Sequence, residues 1–314
     1  SLYTLLCAPQ KRQELLLGIT PPGTDTSQEV VGHYPGEDTN AIVRTVKQAT
    51  DYALIVGVPG AGKTSIVLRS IVEEHYRHTE GDMLIMAYTN RAVDEICSAL
   101  ENIEGRPSYI RIGNEQSCDT RFVHRTLSRL TAPLANREEV RSLITDTRII
   151  VGTVSTIATR PELFAAKHFA LTLIDDASQI LEPQLIGLLA TIRDKFVLIG
   201  DHKQLPAISL QTDEEGRISD ERLTSLGITN CKQSLFERMY YRLIGMGDTA
   251  CIATLYRQGR MHPEVSSFAN RHFYNGQLCP VPLPHQTSTL PYNKYDKASA
   301  LQALIATHRT AFIN

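Results

Sequence analysis

The sequence predicts an α/β protein, a parallel β-sheet covered on both faces by helices. Apolar runs of strand length recur along the chain, among them ALIV at 53–56, DMLIMAYT at 82–89, RIIVGTV at 148–154, LTLI at 171–174 and FVLI at 196–199. These runs are continuous rather than alternating, as strands buried on both faces require. Segments with helical spacing separate them, and a strand–helix–strand alternation implies right-handed crossovers and a parallel sheet.

Taken in order, residues 1–40 read as an N-terminal segment and linker, and 18–40 are rich in Pro, Gly, Thr and acids. AIVRTVKQA at 41–49 is a short amphipathic helix leading into the first strand, and SIVLRSIVEEHYR at 65–77 is the helix after it. RAVDEICSALE at 91–101 places Ala92, Ile96, Ala99 and Leu100 at helical spacing. YIRIG at 109–113 is a short strand, residues 121–147 read as helical and polar, and EPQLIGLLATI at 182–192 is a helix between two strands that end in acid. The strand count predicts one RecA-like α/β domain over 41–250. Residues 251–314 read as a connecting segment and the truncated start of a second such domain, with a proline-rich exposed connector at 280–298 and AFIN at 311–314 as the beginning of a new strand.

Composition bounds the function classes. The chain has 314 residues, 42% hydrophobic and 21% charged, which suits a globular protein of about two domains. No apolar stretch is long enough to span a bilayer, and the N-terminus does not read as a signal peptide. Six scattered cysteines with no C-x-x-C pair point to reduced thiols in a cytoplasmic or nuclear protein. Ten histidines with no H-x-x-x-H pair give no protein-held metal site, and His262 before Pro263 reads as a turn residue. A net charge of −2 supplies no overall attraction for nucleic acid, although a charged groove fits inside a neutral total.

The chemistry is concentrated at three strand ends. GVPGAGKT at 57–64 satisfies G-x-x-x-x-G-K-S/T, between a strand and a helix as that pattern demands. Gly57, Gly60, Ala61 and Gly62 let backbone N–H groups curl around phosphate oxygens, and the following helix, opening at Lys63, Thr64 and Ser65, directs its positive end at the same anion. Lys63 reaches the β- and γ-phosphates and Thr64 holds Mg²⁺ in this reading; the alternative is a plain glycine turn. LTLIDDASQ at 171–179 is a buried strand ending in two carboxylates, with Asp175 a ligand of Mg²⁺ through water and Asp176 placed to orient or deprotonate the attacking water. Alone, it would equally be an Asp-Asp turn after a core strand. FVLIGDHKQLPAI at 196–208 ends in Gly-Asp followed by Gln204, positioned to sense a γ-phosphate. Three such strands together point to hydrolysis of ATP or GTP.

These motifs stand in order with AYTNRAVDEI, SLFERM and RQGRMHPEVSSFANRHFYNGQL. Over about residues 50–278 the frame resembles the first motor domain of superfamily 1 helicases of the 5′-to-3′ branch. It most resembles the helicase half of the nuclease–helicases that trim Okazaki-fragment flaps and resect DNA ends, with the RNA surveillance helicases as cousins. The resemblance implies ATP and Mg²⁺ as cofactors, with Lys63, Thr64, Asp175, Asp176 and Gln204 in the roles given above and Arg260 approaching the γ-phosphate. It implies that Thr89, Asn90 and Thr153, at strand ends, touch the backbone of a single strand of nucleic acid, DNA rather than RNA; for Thr89 and Asn90 the competing reading is helix capping. The implied activity is ATP-driven translocation and unwinding, with a second motor domain as partner and no membrane.

The sequence departs from the family in four places. Asp176 stands where the family has Glu, and Gly259 stands in Gln-Gly-Arg-Met where the family has Tyr. Asp38 or Asn40 occupies the place of a Gln that reads adenine. No motif of the second motor domain is present, including an arginine finger worth about 10³–10⁵ in rate, so the chain by itself is expected to hydrolyse little. Two other functions remain open at this stage: an RNA helicase or ribonucleoprotein remodeller, and a catalytically weakened ATP-binding scaffold.

Overall fold

The computed structural model describes residues 2–288 and 299–310. The chain forms two compact units, one of Ser1–Val56 with Lys63–Thr254 and the other of Gly57–Gly62 with Leu255–Asn314. The first is organised on seven strands: β1 (Tyr52–Gly57), β2 (Asp82–Ala87), β3 (Tyr109–Ile112), β4 (Ile149–Thr153), β5 (Phe169–Asp175), β6 (Lys195–Gly200) and β7 (Ile252–Leu255). Their order in the sheet is β3-β4-β2-β5-β6-β1-β7. The pairings from β3 through to β1 are parallel, as the alternating sequence pattern predicts. β7 closes the edge beside β1, where Leu54 N–H donates to the Cys251 carbonyl at 2.9 Å. The sheet therefore takes in Ile252–Leu255, beyond the point where the sequence changes character.

Helices cover both faces, so β1, β4 and β6 are buried almost throughout and their side chains form the core. The helix after residue 62 opens with a wide π-type turn, Lys63–Leu68, before the α-helix Arg69–His78. Residues 121–147 do not form one helix. They divide into a 3₁₀ segment, Thr120–Arg125, and two helices, Leu127–Thr131 and Arg137–Asp146. Pro133 supplies no N–H, and Asn136 starts the last helix by accepting from Glu139 N at 3.0 Å while its own amide donates back to Glu139.

Residues 2–17 form two helices, Leu2–Leu6 and Gln10–Leu17, that belong to this unit. Arg12 donates to the Leu189 carbonyl at 3.0 and 2.9 Å and to the Asp194 carbonyl at 3.3 Å, satisfying the end of helix Glu182–Thr191. Its guanidinium lies 4.8 Å from the Phe196 ring centre, and burial brings its pKa down to about 10. Arg238, on helix Leu235–Met246, is wholly buried; it grips both carboxylate oxygens of Glu182 at 2.7 Å and donates to the Leu16 and Leu17 carbonyls at 2.7 and 3.0 Å. One guanidinium thus joins the N-terminal helices to two helices distant in sequence.

The helix that leads into β1 is Glu37–Gln48, so it takes in 37–40, which the sequence reads as linker, and the loop ends at 36. That loop is held by Glu74, which accepts from Val31 N, Gly32 N and Tyr34 Oη at 3.0, 2.9 and 2.8 Å and pairs with Lys47. Burial works against this carboxylate's charge, but Lys47 and the three donors prevail and hold its pKa near 2. In the second unit, β8 (Arg257–Gln258) pairs in parallel with β9 (Cys279–Pro280), and helix Pro263–Phe273 connects them. Residues 289–298 of the proline-rich run and the AFIN segment lie outside the described residues. No helix among those described is long and apolar enough to cross a membrane.

The Arg238–Glu182 pair gives a stability test. Removing either partner, by Arg238→Ala or Glu182→Ala, is expected to cost about 3–5 kcal/mol, because the survivor is left as a buried, unpaired charge. Urea unfolding of the single and double variants should show the double losing much less than the sum of the singles.

Candidate functional site

The carboxyl ends of the central strands form one edge, and the order β4-β2-β5-β6-β1 distributes the sequence-predicted residues along it. Asp175 ends β5, Gly200 ends β6 next to it, and Thr153 ends β4 on the other side of β2. Ala87, the last residue of β2, stands opposite both Thr153 and Asp175 in register. This layout, with ligand chemistry outside the carboxyl ends of a parallel sheet, is where open α/β sheets bind ligands.

Within the first unit the structure brings Thr64 and Asp175 together, with Thr64 Oγ1 donating to Asp175 Oδ2 at 2.5 Å. Asp175 is only 1% exposed. Burial, then the charge of Asp176, raises its pKa to about 6, against the pull of Thr64 and Lys63. Two convergent hard oxygen donors beside a lysine fit the donor set of Mg²⁺ carrying a phosphate. Asp176 follows with φ of 50°, in the left-handed region that Asp tolerates better than most residues, and its N–H donates to Asp175 Oδ1 at 3.0 Å. Ser65 is exposed in the first turn after the loop.

Gln204 is held by a residue to which the sequence reading gave no role. Asp201, 2% exposed, accepts from Gln204 Nε2 at 2.8 Å and from Lys203 N at 3.1 Å. Its own N–H donates to Ser178 Oγ at 3.1 Å. Gly200 allows this approach, since a Cβ there would lie 2.9 Å from Ser178 N and 3.1 Å from its Oγ. The acidic strand and the following strand are thereby clasped at their ends. The signal was the Gly-Asp step itself: a residue without a Cβ followed by an acid, directly before Gln204.

Thr89 caps helix Asn90–Glu101, accepting from Ala92 N at 3.1 Å, and Asn90 is its first residue. The capping alternative for Thr89 is therefore realised, with its side chain still exposed. Thr153 caps helix Val154–Ala158 and is buried; its Oγ1 accepts from Thr156 N at 3.2 Å and donates to Thr156 Oγ1 at 2.8 Å. The Thr-Val-Ser-Thr wording carried that signal as well. Behind Asn90, the buried Arg111 pairs with Asp94 at 2.9 Å and anchors the same helix.

In the second unit, the glycines of loop 57–62 meet the turn that carries Arg260. Gly60 and Gly62 have φ of 75° and 77°. Gly60's carbonyl accepts from Gly259 N at 2.9 Å, and a Cβ on Gly60 would lie 2.3 Å from Arg260 Cβ. Gly57 and Ala61 are buried, and Ala61 N donates to the Val58 carbonyl at 3.2 Å. A Cβ at Gly259 would meet Leu283 Cδ1 at 3.1 Å, so Leu283 lies where a side chain at 259 would begin. His262 caps helix Pro263–Phe273, its Nδ1 accepting from Glu264 N at 3.2 Å, in agreement with a turn residue before proline. Among the described residues no group of three or more His, Cys, Asp or Glu could hold a metal ion.

Gly200→Ala is expected to cost about 1–3 kcal/mol by crowding the Ser178 backbone, and Thr153→Ala about 1 kcal/mol by removing a cap. Denaturant midpoints measure both.

The family described as AAA domain matches residues 35–139 and 124–212, more than half of the chain. The chain is 28% identical over 289 residues to the DNA replication ATP-dependent helicase/nuclease DNA2 of Bos taurus, covering 86% of this chain and 24% of that protein. It is 30% identical over 242 residues to DNA2 of Homo sapiens, covering 75% and 20%. To the DNA replication ATP-dependent helicase/nuclease JHS1 of Arabidopsis thaliana it is 28% identical over 244 residues, covering 77% and 16%. The chain thus spans a quarter or less of these curated relatives. It belongs to the AAA domain family, and over most of its length its sequence is similar to that of the DNA2 helicase/nucleases.

Proposed function

We propose that the chain is the first motor domain of an ATP-driven helicase that moves along single-stranded DNA. The observation that carries this reading is the convergence of Thr64 Oγ1 and Asp175 Oδ2 at the carboxyl edge of the sheet. Bound Mg²⁺–ATP supplies the phosphoanhydride that is cleaved. Gly57, Gly60, Ala61 and Gly62 offer backbone N–H groups to phosphate, and Lys63 neutralises the β- and γ-phosphate charge. Thr64 and Asp175 hold the cation, and Asp176 orients water for attack on the γ-phosphorus and receives its proton. Gln204, fixed by Asp201, and Arg260 respond to the γ-phosphate. The step is electrostatic and positional, as phosphoryl transfer requires.

Thr89 and Asn90 follow β2, the neighbour of Asp175's strand, and Thr153 ends β4 on the far side of β2; in this reading they meet the phosphates of the single strand through the helix N-termini that they open. Loss of the γ-phosphate at β5 and β6 is then felt two strands away. In this account the first motor domain is 41–250 together with the edge strand Ile252–Leu255, and the residues that follow lead into a second one that supplies the arginine finger. The choice of DNA rests on the relatives, named as DNA replication helicase/nucleases. A place in the nucleus or cytoplasm follows from the same substrate.

ATP hydrolysis by the full-length protein, with and without single-stranded DNA and single-stranded RNA, tests the proposal. DNA should stimulate turnover. Lys63→Ala should abolish the stimulation, and Asp176→Asn should lower kcat by about 10²–10³ while nucleotide binding persists. Stimulation by RNA alone would replace DNA by RNA in the reading. Nucleotide binding without stimulated turnover would replace the motor by a nucleotide-dependent scaffold, for which the shorter Asp176 carboxylate is the relevant feature.

A further inference from the structure

The segment Pro284–Thr287 reads in the sequence as part of an exposed connector, yet Gln286 within it is 2% exposed. Its carboxamide is fully employed. Nε2 donates to the Gln258 and Met261 carbonyls at 2.9 Å each, and Oε1 accepts from Leu283 N at 3.3 Å. Both carbonyls flank Arg260. Gln258, 1% exposed, works from the other side: its Oε1 accepts from Arg260 N at 3.0 Å and Met261 N at 2.7 Å, and its Nε2 donates to the Met261 carbonyl at 2.8 Å. Next to them, Gly259 donates to the Gly60 carbonyl at 2.9 Å, and its own carbonyl lies 2.8 Å from His285 Nε2. The turn 258–261 is therefore held by two buried amides and an imidazole, in addition to the short β8–β9 pairing at Gln258. Its Arg260 side chain is the one left exposed.

We propose that Gln286 is a positioning residue for Arg260: segment 284–287 locks the turn from which Arg260 reaches the γ-phosphate. The inference rests on the reading of Arg260 as a phosphate ligand. A carboxamide suits the task because its two N–H groups can bridge two carbonyls at once while its oxygen fixes its own segment. The arrangement also separates Gln286 from a purely structural residue. Without it, the Met261 carbonyl keeps Gln258 Nε2 and the Gln258 carbonyl keeps Val281 N at 3.0 Å, so no buried group is orphaned. Removal loosens the turn and leaves the fold in place. Loss of Gln258, by contrast, strips two N–H groups of their acceptor.

The test is steady-state ATP hydrolysis by the full-length protein at saturating single-stranded DNA, with fluorescent-ATP binding and thermal unfolding as controls. Gln286→Ala should lower kcat by about 10-fold or more, with KM for ATP within about 3-fold, because misplacement of the order of 1 Å is costly in rate. Arg260→Ala should lower kcat at least as far. The double variant should be no slower than Arg260→Ala alone, since both act through one group. Gln286→Met, which fills the same space without donors, gives the same expectation if the alanine variant does not fold. Unchanged kcat in a folded Gln286 variant would overturn the proposal, as would losses that multiply in the double variant. Wild-type turnover in Arg260→Ala would instead sink the Arg260 reading itself, and this inference with it.

Discussion

The central strands of the sheet have no face open to water, and most of the molecule's chemistry follows from that. Side chains of β2 from 83 to 87 expose nothing, and neither do residues 196–199 of β6. A charge placed on such a strand would lose its hydration without a partner, at a cost of several kcal/mol. Acids on these strands stand at the ends, where a turn or a neighbouring side chain supplies a partner. Asp175 is the limiting case, a carboxylate at the last strand position, almost wholly buried, answered by Thr64 and by the Asp176 N–H. Because β5 and β6 are hydrogen-bonded neighbours, their carboxyl ends bring Asp175 and Asp201 to the same edge of the sheet.

A second consequence concerns the buried arginines. Helices that cover a sheet leave carbonyl groups unsatisfied at their ends, and this chain answers several with guanidinium groups. Arg12 closes the end of helix Glu182–Thr191, and Arg238 joins the first residue of that helix to the carbonyls that end Gln10–Leu17. Such pairs hold geometry more than they stabilise, since desolvation offsets much of the attraction. Here the geometry matters, because helix Glu182–Thr191 connects the acidic strand to the strand that presents Asp201 and Gln204.

The threonines that the proposal sets against a nucleic-acid strand are also helix caps. Thr89 and Thr153 satisfy helix N-termini with their side chains, and a capped N-terminus still presents further backbone N–H groups to an anion. Capping and strand binding are therefore compatible at Thr89. At Thr153 the buried hydroxyl is already shared with Thr156, so what remains to offer a phosphate is the helix end rather than the side chain.

Legible in the sequence were the parallel sheet, the order of its elements, the glycine loop between strand and helix and the two acid-bearing strands, with the cap at Thr89 as one of two readings. These depend on periodicity and on residue types within a few positions of one another, which sequence displays directly. It did not show that 121–147 is broken at Pro133 and Asn136, because polar helical composition hides a local stop. Nor did it show Arg238, Asp201 or Gln286 at work. Their partners lie 56, 23 and 28 positions away, and a buried polar side chain has no periodic signature to mark it. Tertiary structure alone decided those, because the acceptor for a buried donor is whichever carbonyl or carboxylate the fold happens to bring within 3 Å or so, and proximity in space is the one quantity a linear sequence does not carry.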